Sequence, residues 1–241
     1  MERKYRNWVE DKGLISFQVK IKDSDLFIRA DCDLKQQAQE CLKYQRSLLE
    51  GYIQRDAEFA TTLTPHNIKE KAPDIVWEMA EAAASAAVGP MAAVAGAIAE
   101  YVGRDLLRQS SQVIVENGGD IFIKTHLARK IGVFAGESAY TGKLAFEISP
   151  GDTRGICTSS ATVGPSLSLG RTDAAVVVCE SAILADAWAT RLGNMVKSVE
   201  DIDLVLEFVK TKPEIKGVLI IVGDKLGVWG EIKLQKGGNN V

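Results

Sequence analysis

Apolar and polar residues alternate from Leu14 to Lys22, and the alternation returns from Leu26 to Ala30 after Asp23-Ser24-Asp25. Period-two patterning around a polar turn predicts an N-terminal hairpin. The spacing then becomes helical. Ala38, Leu42, Leu48, Leu49 and Ile53 recur at turns of a long helix running to about Phe59, with Asp31 or Asp33 placed to cap it. Pro73 opens the next helix as a first-turn proline, and Gly89-Pro90 breaks it and restarts a helix to about Ser110. This second helix is made of small residues: Ala92, Ala93, Gly96, Ala97 and Ala99 let another backbone approach closely. Gly89 and the amides after Pro90 also offer a ligand the positive end of a helix.

The second half reads mostly as strands. Gln112–Glu116 and Asp120–Lys124 flank Gly118-Gly119, a pair suited to a tight hairpin turn. Further strands are expected at Ile131–Ala135, Leu144–Ile148 and Gly155–Thr158. The continuous apolar run Ala174–Cys179 predicts a central strand buried on both faces. Ser181 caps a helix to about Val196, and Val199–Val209 forms a shorter one. Val218–Val222 and Gly227–Leu234 close the chain as a hairpin around Gly223-Asp224-Lys225, before a GGNNV tail expected to be mobile. With no repeat and no linker, the pattern predicts one α+β domain over residues 1–241, helices packed on an extensively antiparallel sheet.

Composition narrows the function classes. Apolar content of 46% and charged content of 25% are ordinary for a globular chain. A net charge of -3 with dispersed basic residues argues against a nucleic-acid partner. Cys32, Cys41, Cys157 and Cys179 match no zinc spacing, and reduced thiols point to a cytoplasmic protein. The charged N-terminus is followed by no apolar signal region, and the alanine-rich stretch Ala82–Ala99 is split by Gly89-Pro90, so no membrane partner is expected. The small-residue helices and an exposed closing hairpin permit a homodimer without requiring one.

The candidate chemistry lies between Val115 and Thr190. There is no GxGxxG, GxxxxGK[ST], HExxH or GxSxG. With only His66 and His126, a Ser-His-Asp triad has no evident base; His126 reads as a surface residue. Asp186 and Thr190 stand four residues apart in ADAWAT, so carboxylate and hydroxyl oxygens share one helix face. Hard cations such as Mg²⁺ take a few such oxygens and share the remainder with phosphate and water. The same pair has a structural reading, an Asp offsetting a helix dipole and a Thr bonding to the turn before it. Glycines at Asn117-Gly118-Gly119-Asp120 allow a phosphate close to the backbone, or make a turn and nothing more. The hydroxyl-dense run from Cys157 to Asp173, with Thr158, Ser159, Ser160, Ser166 and Ser168, suits a donor-rich anion pocket or a solvated loop. Arg154 and Arg171 flank it.

Taken together, GPMAAVAGAIAE, VENGGDIFI, TSSATVGPSLSLG and ILADAWAT resemble uncharacterised protein family 0280, known from methanogens and other anaerobes. That family is related to the ApbE flavin transferases, which move FMN from FAD onto a protein threonine using Mg²⁺. The resemblance to family 0280 covers nearly the whole chain; that to the transferases is strongest from about Gly96 to Gly193. It implies an ApbE-like, T-fold-related antiparallel sheet packed with helices. It also implies that Gly118 and Gly119 line a flavin nucleotide and that Asp186 and Thr190 bind Mg²⁺. Against the transferases' ATSGD segment this chain has Cys157-Thr158-Ser159-Ser160-Ala161, with Ser160 for the glycine and Ala161 for the acid. Their His-containing HxxDPxTG segment is replaced by Gly164–Gly170 without a His.

The resemblance therefore implies a small phosphate-bearing ligand, FAD among them, held with Mg²⁺. The ligand set would be Asn117, Gly118, Gly119, Asp120, Thr158, Ser159, Ser160, Ser166 and Ser168. The alternative is a non-enzymatic accessory protein in sulfide assimilation and homocysteine biosynthesis, working through a protein partner or carrying sulfide on Cys157. A third reading is true FMN transfer, which the missing His disfavours.

Overall fold

In a computed structural model, which describes residues 13–68, 71–161 and 169–237, the chain opens with the hairpin β1 (Ile15–Ile21) and β2 (Ser24–Ala30). Helices α1 (Lys35–Ile53), α2 (Glu58–Thr61), α3 (Asp74–Ala86) and α4 (Val94–Leu106) follow, with a 3-10 turn at Pro90–Ala93 leading into α4. Then come β3 (Val113–Asn117), β4 (Asp120–Lys124), β5 (Arg129–Gly132), β6 (Leu144–Ile148), β7 (Arg154–Ser159) and β8 (Ala174–Cys179). The chain closes with α5 (Ala182–Met195), α6 (Asp201–Val209), β9 (Ile215–Val222), β10 (Lys225–Gly230) and β11 (Lys233–Lys236).

Among the described residues, eight strands form one sheet in the order β1-β2-β3-β4-β7-β8-β9-β10, and every pairing is antiparallel. A smaller sheet, β11-β6-β5, covers part of its other face. Strand alternation divides the core accordingly. Val113, Val115, Phe122, Cys157, Ala175, Val177 and Cys179 face the helices. Ile114, Ile121, Ile123, Ile156, Ala174, Val176 and Val178 face the small sheet. β8 is thus buried on both faces, as its unbroken apolar run predicts.

Small residues set the layer spacing. A Cβ on Gly103 would overlap the Phe122 ring, and one on Gly155 would overlap the backbone of Ala182. α4 and α5 can therefore lie close on β4 and β7. Among the described residues no single helix is long and apolar enough to cross a membrane. α3 and the Pro90–Leu106 segment pass that test only as a pair, and they are bent by 103°.

Several boundaries differ from the sequence reading. α1 stops at Ile53 instead of Phe59, because the Tyr52 carbonyl takes the amides of both Arg55 and Asp56. That turn brings Phe59 into the core, edge-on to the rings of Tyr52 and His66. Asp33 accepts the Lys35 amide at 2.9 Å, whereas Asp31 serves another purpose. Asp31 gathers the amides of Ser111 and Gln112 and ties the end of β2 to the start of β3. Burial works against its charge, yet these bonds hold its carboxyl down to about 2. The first turn is Lys22-Asp23, since Ile21 pairs with Ser24. The strand expected at Ile131–Ala135 lies earlier, at Arg129–Gly132. The closing strand breaks at Gly230, whose positive φ of 80° turns the chain so that β11 joins the small sheet instead of extending β10. The GGNNV tail falls outside the described residues except at its first glycine.

Candidate functional site: a carboxylate pair at the start of a helix

The residue pattern NGGD folds as a two-residue hairpin turn. Asn117 pairs with Asp120, and Gly118 and Gly119 take φ of 72° and 113°. Two successive positive φ values require glycine or asparagine, which accounts for the pair. The turn matters for what it flanks. Alternation places Asn117 at the end of β3 and Asp120 at the start of β4 on the helix face, beside Val115 and Phe122. The Asn117 amide donates to the Ala95 carbonyl at 3.1 Å, which fixes the first turn of α4 over the hairpin.

α5 crosses above. Ser181 caps it as expected, its hydroxyl accepting the Ile183 and Leu184 amides. One turn further on, Asp186 accepts the Gly96 amide at 2.8 Å, so its carboxylate sits at the positive end of α4. Gly96 is obligatory there: an added Cβ would overlap the Ala182 carbonyl and the Asp186 side chain. From below, Asp120 accepts the Thr158 amide at 3.4 Å, and the Cys157 thiol lies close enough to feel its charge.

The electrostatics of this centre are unbalanced. Desolvation pushes the Asp120 carboxyl up to about 7, and the negative charge of Glu116 adds to it; the Cys157 side chain and the Thr158 amide only partly oppose this. Asp186 is driven well above the usual carboxylate range, first by burial and then by the charge of Asp120, against the amides of Gly96 and Ala95. Two like charges held together in a low-dielectric site cannot both ionise freely. Asp120 is 9% exposed, while Asp186 keeps part of its surface accessible. A ligand therefore has a way to reach the pair.

The structure thus brings Asn117, Asp120, Thr158 and Asp186 together at the start of α4. Thr190 follows Asp186 by one turn of α5. One turn further, the Ser159 hydroxyl and the hydroxyl of Thr172 converge on Gly193. Thr172 is fully buried with no hydrogen-bond partner for its hydroxyl among the described residues. Ser160 follows directly on β7, and Ser166 and Ser168 lie outside the described residues. Other candidates stand apart. Arg154 begins β7, at the end opposite Ser159, and donates to the Thr153 carbonyl. Arg171 is exposed, its amide bonded to Val196. His66 is paired with Asp56 at 2.7 Å and His126 is exposed on the surface. Cys157 is fully buried, its thiol donates to the Ala182 carbonyl at 3.4 Å, and burial followed by the charges of Asp120 and Asp186 keeps it protonated. The shallow cavity of about 360 Å³ lined by Asp33, Lys35, Gln36 and Gln39 lies toward the other end of α4, where Gln37 bonds Asp105, and contains none of these residues.

Asp120 is the member of the metal-like pair that sequence spacing did not single out. Its pairing with Asp186 depends on β4 lying beside β7 and under α5, and no local periodicity encodes that. Among the described residues no group of three or more His, Cys, Asp or Glu side chains is arranged to hold a metal ion.

The family model described as AbpE bacteria matches residues 6–212. A UPF0280 protein of Methanocella arvoryzae is 44% identical over 189 residues, covering 78% of this chain and 77% of its own length. The UPF0280 protein of Methanocaldococcus jannaschii is 37% identical over 219 residues, covering 88% and 89%. The chain belongs to the UPF0280 family. Among solved structures, the flavinyl transferase ApbE of Pseudomonas stutzeri matches with a TM-score of 0.54 at 13% identity, over 90% of this chain and 93% of that one. The ApbE protein of Thermotoga maritima matches with a TM-score of 0.57 at 13% identity, over 89% and 96%. The UPF0280 chain therefore has the ApbE fold, and this is the α+β architecture of helices on antiparallel sheet expected from its patterning.

Proposed function

We propose that this chain binds a flavin nucleotide, or another phosphate-bearing ligand, together with Mg²⁺ at the Asp120–Asp186 pair. The observation that carries the reading is the pair itself: Asp120, whose buried carboxyl is held up at about 7, and Asp186, whose carboxyl is pushed up by desolvation and by the charge of Asp120. A divalent cation relieves that repulsion. The donor set fits Mg²⁺, which takes one or two carboxylate oxygens and completes its shell with substrate phosphate and water. Asp186 is oriented by the Gly96 and Ala95 amides at the start of α4, and a carboxylate oxygen can accept an amide and still face an ion. The Thr190 hydroxyl, on the same face of α5, is the next oxygen along.

When bound, Mg²⁺ would neutralise phosphate charge at the ligand. The chain's own residues orient it. Asn117 holds the first turn of α4, Asp186 is fixed by that turn, and the Ser159 hydroxyl with Thr158 and Ser160 lies where β7 ends. The relation to proteins named flavin transferases supports a flavin as the nucleotide. Transfer of FMN is a further step, and no histidine of the described residues stands with the pair. The sulfide-carrier reading draws no support from Cys157, whose thiol is enclosed and protonated.

A thermal-shift assay tests the reading. FAD with Mg²⁺ raises the melting temperature more than FAD or Mg²⁺ alone, because a ligand bound only by the native state stabilises it by mass action. Equal melting temperatures under all conditions at millimolar FAD would remove the flavin.

A further inference from the structure

We propose that Glu100, a residue outside the carboxylate pair, is the positioning residue that sets Asp186 against Asp120. The inference rests on the metal reading of that pair. Gly96 and Glu100 are four residues apart on α4, and Ala182 and Asp186 are four apart on α5, so each couple lies on one helix face. The contacts run crosswise. Asp186 accepts the Gly96 amide at the start of α4. Glu100 accepts the Ala182 amide at 2.6 Å, the Ile183 amide at 3.1 Å and the Ser181 hydroxyl at 2.8 Å, at the start of α5. Each helix thus supplies the carboxylate that satisfies the unpaired first amides of the other.

The two contacts differ in what holds the acid. Glu100 is 3% exposed, and its second oxygen takes Arg104 at 2.6 Å; Arg104 in turn bonds Glu78. Its orientation is therefore fixed from both sides. Ala182 is the pivot of the crossing. Its amide goes to Glu100 and its carbonyl receives the Cys157 thiol, while Gly96 and Gly155 pack directly on its backbone. Cys157 and Thr158 are neighbours on β7, and the Thr158 amide donates to Asp120. Glu100 therefore fixes the height and rotation of α5 over β7, and with them the spacing of the two carboxylates. A displacement of either helix end moves Asp186 while leaving Asp120 on the sheet.

The test uses Mn²⁺ alone as the probe, its binding followed by electron paramagnetic resonance at about pH 8, where the pair can give up its protons. Wild type, Glu100→Ala, Glu100→Gln and Leu42→Ala are compared at a temperature where all are folded by near-ultraviolet circular dichroism. Leu42 is a fully buried core residue of α1, and its truncation lowers the melting temperature while leaving every hydrogen bond of the crossing in place. Glu100→Ala is expected to weaken Mn²⁺ binding by about tenfold to a hundredfold, the usual effect of removing a group that orients a metal ligand. Glu100→Gln keeps the shape and an accepting oxygen and is expected to lose less; it carries the test if Glu100→Ala does not fold. Leu42→Ala keeps wild-type affinity despite its lower melting temperature. Wild-type Mn²⁺ affinity in the Glu100 variants, or an equal loss in Leu42→Ala, would overturn the positioning role while leaving the metal site standing. A wild-type protein that binds no Mn²⁺ would overturn both.

Discussion

Where α4 and α5 cross, two buried acids do the same local task with opposite electrostatic outcomes. At one end Glu100 caps α5, receives backbone and hydroxyl donors, and is paired with Arg104. At the other end Asp186 caps α4, but its nearest charged neighbour is Asp120, another acid. The first arrangement is closed in that Glu100 has a basic partner inside the fold, Arg104, which it shares with Glu78. At the second, the charges acting on the two acids are those of other acids, Glu116 and Asp120. A buried carboxylate with a basic partner in the fold is satisfied as it stands, whereas one facing a second acid must hold a proton or draw in a cation, and the proposed function takes the second course.

The largest expected effect breaks the closed end. Glu100→Ala strips partners from the first amides of α5 and from Arg104, and should destabilise the protein by about 3 kcal/mol in urea unfolding, chiefly the cost of leaving the buried Ala182 and Ile183 amides without their acceptor. A loss below about 1 kcal/mol would show that water replaces the carboxylate and that this end is not closed.

The open end should show itself through pH. Asp120 has its folded-state pKa raised to about 7, above the usual carboxylate value, so the native state holds a proton that the unfolded chain has released. Its contribution to stability is complete below about pH 4 and is lost as pH rises through about 7. The metal-free protein should therefore lose roughly 2–4 kcal/mol between pH 5 and pH 8, a range converted from the shift at about 1.4 kcal/mol per pH unit. Mg²⁺ should recover part of that loss at pH 8, and Asp120→Asn should flatten the slope. The opposite slope, with greater stability at pH 8 in the absence of metal, would contradict the unbalanced pair.

Gly96→Ala sits between the two ends and tests the crossing itself. The added methyl meets the Ala182 carbonyl, so the helices must separate, at a cost of about 1–3 kcal/mol. Flavin or Mg²⁺ binding should fall with it. The smallest effect is on thiol chemistry. In the native protein a maleimide should label exposed Cys32 and leave buried Cys157 unmodified, as read by peptide mass. Rapid native labelling of Cys157 would reopen the sulfur-carrier reading.

These contrasts also mark how far the sequence reaches. The β8 run, the Ser181 cap, the Gly89-Pro90 break and the Gly118-Gly119 hairpin are local signals, and each appears where its residues place it. Asp186 was legible as a candidate because it shares a helix face with Thr190. Asp120 was legible as a ligand-lining residue of the glycine turn but not as a partner of Asp186, since their meeting needs β4 beside β7 and α5 above both. Glu100 carries no local signal of its own in a small-residue helix; its task appears only once α5 is packed across α4. The break of the closing hairpin at Gly230 was missed for a similar reason: β11 leaves for a sheet whose partner strand, β6, is distant in sequence.

The most direct measurement of the central claim is a titration with FAD, with and without Mg²⁺, followed by flavin fluorescence and repeated on Asp186→Asn. The asparagine oxygen can still accept the Gly96 amide, so α4 keeps its cap while the negative charge is gone. Mg²⁺-dependent FAD binding that the substitution weakens at least tenfold, with the melting temperature preserved, is the predicted result. Binding that is indifferent to Mg²⁺ and to the charge of Asp186, or no binding at millimolar FAD, would contradict the account and leave the carboxylate pair without the nucleotide partner assigned to it.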